Sequence, residues 1–400
     1  MMPKFGSTAR KVENMLNGFI GPYRDTDWIL RFWSVPIFSF VSALGATWLC
    51  KKIAVKYGFT DQPDNLVKTH KEPIAYLGGV GILIGLVVGA LAGIYLMRDQ
   101  PYFSSSLKWL FGILAGAAIA CFVGVVDDIF NLKPWQKILG QITAAIALIQ
   151  VGVRPCLHYF AMPFGLPMPQ GIETILGIPI VIIFVLGATN SLNLLDGLDG
   201  LCAGVTAIIT VAMLILAIHL KTWDFSEVGD PVRLIVCLAL VGGVCGFLPF
   251  NRHPAKIFMG DAGSMLLGFI VAALMILFGE KIPRWWMASV VVFGLPILDT
   301  AVALVRRLIN HRPLFASDRG HIYDQMIDRG ISLKRTVEIC YVLAGLYALI
   351  GLAMSRIRTR YAAVVYVFVV VISAIVVWKK GYLKMEGLRG AIRKNGVNNS

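Results

Sequence analysis

Charge is what this chain has least of. Only 15% of its 400 residues are charged, against about a quarter in an ordinary soluble domain. Acidic residues are the scarcer kind, 23 against 37 Lys and Arg, which leaves a formal charge of +14. The excess of bases has no soluble basic face to sit on, which argues against a nucleic-acid binder. Cysteine is sparse and unpatterned. Its seven copies (Cys50, Cys121, Cys156, Cys202, Cys237, Cys245 and Cys340) lie mostly in apolar runs, and none forms a CxxC. They read as small buried apolar residues. A tandem repeat, a low-complexity linker and a separate soluble domain are all missing. The first apolar run begins near Trp28, behind a mixed polar segment, and shows no small-residue cleavage site, so no signal peptide is expected.

Long apolar runs are what the chain has instead. It is 57% hydrophobic, with a mean hydropathy of +0.73. Runs near 29–50, 74–97, 107–126, 137–153, 175–192, 201–220, 232–249, 262–279, 285–305, 337–354 and 361–378 approach the ~20 residues that cross a bilayer. Backbone in lipid must satisfy its own polar groups, so each run is expected to be helical. The expected fold is an all-α polytopic integral membrane protein of about eleven transmembrane helices. Residues 1–28 form an N-terminal segment suited to the membrane surface, 29–378 the membrane domain, and 379–400 a basic tail. Alternate loops (51–73, 127–137, 193–200, 250–261, 306–336) and that tail hold most of the Lys and Arg. The bias puts them in the cytoplasm and the N-terminus outside.

Every polar motif falls in that same set of loops. NSLNLLDGLDG (190–200) packs Asn190, Asn193, Asp196 and Asp199 between two apolar runs. An Asp at the centre of a spanning helix costs about 2.5 to 3.5 kcal/mol on insertion scales, so the stretch is either a polar turn or chemistry. GVVDDIFNLKPWQK carries Asp127 and Asp128 at the end of an apolar run. Adjacent carboxylates repel unless a proton or cation sits between them. Paired aspartates suit Mg²⁺ bound to a substrate diphosphate, because Mg²⁺ takes few protein carboxylates and keeps water and phosphate oxygens. FNRHPAKIFMGDAGS places Asp261 at the mouth of the next run, where a helix dipole favours anions. Asn251 and Phe258 in the same string offer a hydrogen bond and a stacking face to a base. Lys68 and His70 precede the Gly78–Gly79 helix entry, as cations beside a phosphate site do. The longest loop adds Arg319 and His321, an Arg suited to bidentate phosphate contacts and a His that titrates near neutrality. Carboxylates and a basic, His-bearing loop on one membrane face ask for a metal and a phosphorylated substrate.

GVVDDIFNL, NSLNLLDGLDG, HPAKIFMGDAGS and DRGHI, in that order within about eleven helices, resemble the polyprenyl-phosphate N-acetylhexosamine-1-phosphate transferases. The resemblance runs from about Asp61 to Gly330. It implies transfer of a HexNAc-1-phosphate from a UDP-sugar to undecaprenyl phosphate with release of UMP, Mg²⁺ (or Mn²⁺) as cofactor, and a bacterial inner-membrane location with a cytoplasmic cleft. It makes Asp127 the base toward the lipid phosphate, Asp128 an aid at the metal or diphosphate, and Asp261 a Mg²⁺ ligand. Asn190, Asn193, Asp196 and Asp199 line the nucleotide and metal cleft; Asn251 and Phe258 hold and stack uracil; Lys68, His70, Arg319 and His321 serve the substrates. The long loop departs from the pattern. It reads His321-Ile322-Tyr323-Asp324 where the GlcNAc branch commonly has His-Ile-His-His and the peptidoglycan branch three consecutive histidines. The surrounding DRGHI favours the GlcNAc branch, with the phospho-MurNAc-pentapeptide transferases as alternative. A homodimer is compatible with the sequence. A transporter would need charged residues inside the spans and inverted halves, and no internal symmetry is visible.

Overall fold

The computed structural model describes residues 31–61, 73–99, 102–158, 168–223, 226, 228–311 and 320–383. Those residues form thirteen helices and one small β-ladder. In chain order they are α1 Ser34–Tyr57, β1 Thr60–Asp61, β2 Ile74–Ala75, α2 Gly78–Met97, α3 Phe103–Phe130, α4 Pro134–Gln150, α5 Gln170–Leu195, α6 Leu201–Lys221, α7 Gly229–Asn251, α8 Gly260–Phe278, α9 Pro283–Val292, α10 Gly294–Ile309, α11 Ile322–Asp328, α12 Leu333–Ser355 and α13 Thr359–Lys379. Each expected apolar run is helical. Among the described residues nine helices are long and apolar enough to cross a membrane, or ten with α9 and α10 counted as one span. Two runs account for the shortfall from eleven. The 137–153 run is α4, whose 17 residues are short for a crossing. The 285–305 run is broken at Phe293 into α9 and α10, which meet at 69°. The N-terminal segment and most of the basic tail lie outside the described residues.

The bundle is built around α8. Every residue from Ala262 to Phe278 is buried, and the helix packs against α2, α3, α5, α7 and α9. In a bilayer such a helix touches protein on all sides, so close fit rather than the hydrophobic effect holds its neighbours to it. Glycine supplies that fit at the N-terminal end of α8. A Cβ on Gly124 of α3 would run into the backbone of Asp261 and Ala262, and one on Gly79 of α2 into the backbone of Gly263. At the other extreme, α13 has little of its surface buried and shows Val364, Val367, Phe368, Val371 and Ile372 outward, as a lipid-facing helix does.

The β-ladder ties loops together at the same end. Thr60 and Asp61 pair antiparallel with Ala75 and Ile74, and Ala75 bridges to Ile257 just before α8. Phe258 N–H donates to the Ala75 carbonyl at 2.9 Å, and Gly78 N–H to the Phe258 carbonyl at 3.0 Å. The start of α2 and the start of α8 are thereby fixed side by side.

Candidate active site

The end of α3 and the start of α8 make the centre. α3 closes on Asn131, whose N–H donates to the Asp127 carbonyl at 2.8 Å, while Leu132 N–H donates to Asp127 Oδ1 at 2.8 Å. Asp127 is therefore both last-turn residue and cap, and it is 3% exposed. Pro134 at the first turn starts α4, helped by Gln136 Oε1 accepting the Lys133 N–H at 2.9 Å. This tight reversal lays Lys137 against Asp127 as an ion pair. The same ammonium reaches Asp261 Oδ2 at 2.9 Å.

Asp128 points the other way. Its two oxygens accept the N–H groups of Asp261 (2.8 Å) and Ala262 (3.2 Å). These are orphan donors at the N-terminus of α8, where the dipole also favours an anion. Gly260 adopts φ +69°, and a Cβ there would strike the Asp128 carboxylate. A residue with φ > 0 and no room for a side chain is the position that requires glycine. Asp261 Oδ1 accepts from Asn193 Nδ2 at 2.8 Å, and that amide also reaches Ser264 Oγ at 3.0 Å. Asp127 and Asp261 are held together through the Lys137 ammonium they share. Asp196, just past the end of α5, is close enough to feel Asp261 and Asp128. Burial first, then those two carboxylates and Asp199, raises its carboxyl well above the usual range.

Four of the expected residues (Asp127, Asp128, Asn193 and Asp261) thus converge, with Asp196 beside them. Others do different work. Asn251 is 2% exposed; its Oδ1 accepts the Gly200 N–H at 3.1 Å and its Nδ2 donates to the Ile257 carbonyl at 3.1 Å. That amide joins the α5–α6 turn to the α7–α8 loop instead of facing a cleft. Asp199 faces the same loop, accepting from His253 Nδ1 (2.7 Å) and Ala255 N–H (3.1 Å). Asn190 binds Gln141 Oε1 (3.0 Å) and the Leu186 carbonyl (2.7 Å). Phe258 is half-buried, its ring 6.4 Å from that of Tyr76. Lys68, His70 and Arg319 lie outside the described residues.

His321 reaches the same end of the bundle from the far side. Its Nδ1 is 2.7 Å from Asp299 Oδ2, and Ile322 N–H donates to Asp299 Oδ1 at 2.6 Å. Tyr323 stacks on the His321 ring and donates its hydroxyl to the Leu194 carbonyl at 2.9 Å, beside Asp196. Tyr323 therefore wedges the long loop against the α5–α6 turn; a Cβ on Gly197 would meet its hydroxyl. Sequence reasoning missed Lys137 and Asp299. Each carries a visible signal. Lys137 and Gln141 are one turn apart on an apolar helix, and Asp299 is an acid inside an apolar run.

Whether a divalent cation fits here can be judged from Lys137. Its ammonium is shared by Asp127 and Asp261, one positive charge against two carboxyls, which marks a point where the fold demands more positive charge. Among the described residues no group of three or more His, Cys, Asp or Glu forms a ready-made metal cage. The donors that face this point are carboxylate oxygens, the type of which Mg²⁺ takes one or two while leaving the rest of its shell to water and phosphate.

The profile of glycosyl transferase family 4 matches residues 110–279. Over 340 residues the chain is 31% identical to a Bacillus subtilis (strain 168) protein named "Probable undecaprenyl-phosphate N-acetylglucosaminyl 1-phosphate transferase", covering 84% of this chain and 88% of that one. It is 30% identical over 300 residues to a decaprenyl-phosphate N-acetylglucosaminephosphotransferase of Mycobacterium leprae (strain TN), covering 70% and 73%. A phospho-N-acetylmuramoyl-pentapeptide-transferase of Enterococcus hirae matches over a shorter stretch, 35% over 214 residues, covering 50% and 61%. The chain belongs to glycosyl transferase family 4. Membership and the apolar helices together make it a multi-pass membrane protein and a transferase. The family match spans α3 through α8; it therefore contains the Asp127–Asp128 pair, Lys137, Asn193 and Asp261, and it stops short of Asp299 and His321.

Proposed function

We propose that this family member transfers GlcNAc-1-phosphate from UDP-GlcNAc to undecaprenyl phosphate, in a Mg²⁺-dependent reaction that releases UMP. The carrying observation is the excess of carboxylates at the end of a protein-encased helix: Asp127 and Asp261 share one ammonium, and Asp128 and Asp196 stand beside them. Relatives named for GlcNAc-phosphate transfer to a polyprenyl phosphate support the same reading. We place the active end in the cytoplasm of a bacterial inner membrane, on the Lys and Arg bias of the loops.

Site and substrates are both anionic, and Mg²⁺ would bring the positive charge that each lacks. Asp261 would hold the Mg²⁺, and Asp128, whose oxygens each keep a second lone pair, would complete the protein's share. When bound, Mg²⁺ supplies Lewis-acid polarisation of the diphosphate. Lys137 leaves the carboxylates for a diphosphate oxygen, and Asn193 keeps Asp261 oriented. Asp127, tethered at one oxygen by Leu132 N–H and freed at the other, takes the proton of the acceptor phosphate. The acceptor oxygen then attacks the sugar-side phosphorus, and UMP departs. Holding the two phosphates in line is most of the catalytic task.

The acceptor's hydrocarbon has a place to lie. An apolar groove of about 260 Å³ runs between α9, α10, α12 and α13, lined by Leu298, Val302, Tyr347, Val369 and Val377 among others. Its α13 wall is the lipid-facing helix, so a membrane-dissolved tail enters without crossing water.

Purified protein in detergent, given a short polyprenyl phosphate, decides the reading. UMP release with UDP-GlcNAc and Mg²⁺, and its loss with EDTA, is expected. Turnover only with UDP-MurNAc-pentapeptide, or only with UDP-GalNAc, overturns the donor assignment. A chemically competent adduct trapped on Asp127 overturns direct attack in favour of a covalent route.

A further inference from the structure

The Asp299–His321 pair lies outside the matched family segment and apart from the carboxylate centre, and it is built like a positioning device. Asp299 is 1% exposed and His321 is 5% exposed. Both oxygens of Asp299 are committed, one to His321 Nδ1 and the other to the Ile322 N–H. An ionised carboxylate only accepts, so Nδ1 must carry the proton. The remaining ring nitrogen, Nε2, has no partner among the described residues. The bond to Asp299 sets which nitrogen faces which way, and the ring lies against Tyr323 at 5.6 Å between centroids, with Tyr323 anchored on Leu194. A nearly buried imidazole with one nitrogen clamped and the other unpartnered is held for something that is not part of the chain.

Its position says what. Leu298 and Val302 flank Asp299 on α10 and also line the apolar groove. Ile322, the residue after His321, packs with Val302, Leu298 and Leu383 at the end of that groove. Toward the other side, Tyr323 reaches the α5–α6 turn and Asp196. His321 therefore stands at the junction of the hydrocarbon groove and the carboxylate centre, where the head of a lipid acceptor has to pass.

We propose that Asp299 is a positioning residue that fixes the His321 proton on Nδ1 and so presents the Nε2 lone pair to the hydroxyl of the acceptor's phosphate monoester. That hydrogen bond orients the phosphate as it arrives, and the same proton passes to Asp127 when the acceptor reaches the carboxylate centre. This rests on the transferase reading above. A phosphate monoester carries an O–H near its second ionisation, about pH 6, and a neutral Nε2 accepts from it.

Asp299→Asn tests the device. The amide offers one acceptor and one donor where two acceptors are needed. Its NH₂ satisfies His321 only if the imidazole proton moves to Nε2, as in the tautomer failure of an Asp→Asn change in a Ser-His-Asp triad. In the full-length protein, kcat/KM for polyprenyl phosphate should fall about 10- to 100-fold, the scale for losing an orienting partner. The KM for the nucleotide sugar should stay within about twofold. In a His321→Ala background the Asp299 change should add nothing. A ¹⁵N-histidine spectrum of the wild-type protein, with His321→Ala to assign the signal, should show an Nδ1–H tautomer. That last measurement needs no Asp299 variant to fold. Additive losses in the double variant, a rise in the KM of the donor instead of the acceptor, or a wild-type Nε2–H tautomer would each overturn the proposal. Failure of the wild-type protein to transfer from any UDP-sugar sinks the transferase reading instead and leaves the tautomer result standing.

Discussion

The two ends of α8 each carry a cluster of ions, and they are built on opposite plans. At the C-terminal end Arg233 of α7 is 0% exposed. It pairs with Asp230, reaches Glu280 at 3.1 Å and donates to the Leu277 carbonyl at 2.7 Å. Ser226 donates its backbone N–H to Asp230 (3.1 Å) and its hydroxyl to Glu280 (2.7 Å). A planar guanidinium fork, buried and bonded through both terminal nitrogens, locks these helices. At the N-terminal end the cation is Lys137, whose side chain is 30% exposed, and it is shared between Asp127 and Asp261. A flexible ammonium that answers two carboxylates can leave either of them. The chemistry of a charged cluster in this fold is set less by its acids than by the cation chosen to meet them.

The comparison breaks most visibly at Asp261. Asp261→Asn should cut transfer by about 10³-fold or more, the scale for losing a group that stabilises developing charge, with little change in melting temperature. UMP release and a thermal melt in detergent read the two effects separately. Arg233→Met should do the reverse. It strands Asp230 in a buried site and should cost about 3 to 5 kcal/mol of stability, while turnover per folded molecule stays near wild type. If Arg233→Met lost activity without losing stability, the far cluster would not be structural.

Lys137 sharpens the contrast at a smaller scale. Lys137→Met should lower turnover about 10²-fold, and Lys137→Arg should not restore it, because a rigid fork cannot be exchanged between carboxylates and substrate. Steady-state kinetics of the two variants, side by side, check this. The smallest effect belongs to Asp196. Its folded carboxyl titrates above the ordinary range, so the folded state binds protons that the unfolded state has released. Stability from this group therefore falls as pH rises past the ordinary Asp value near 3.9 and on through the raised one. Asp196→Asn should melt a little higher than wild type at neutral pH, and the gain should vanish near pH 4; a gain that grew toward acid would reverse the assignment.

Much of this end of the molecule was legible in the sequence. Asp127, Asp128, Asn193 and Asp261 stand out because charge is rare here and each sits at the end of an apolar run. What the sequence withheld was which polar groups face each other. Asn251 and Asn193 look alike on paper, yet one amide joins two loops and the other holds Asp261. Lys137 was visible only as a loop cation, since nothing local says that α3 and α4 fold back tightly enough to bring it to Asp261. Asp299 needed its partner His321, 22 residues on, to acquire meaning. The 69° break at Phe293 was hidden for a related reason: hydropathy reads apolar length and is blind to direction.

The complete enclosure of α8 has a consequence for how the enzyme meets its membrane. No lipid borders the helix that carries Asp261, so bilayer thickness, tension and acyl composition have no direct grip on the carboxylate end. The groove has a wall that faces lipid. Changing the surrounding lipid should therefore be felt as a change in how readily the acceptor arrives, with the handling of the nucleotide sugar left alone.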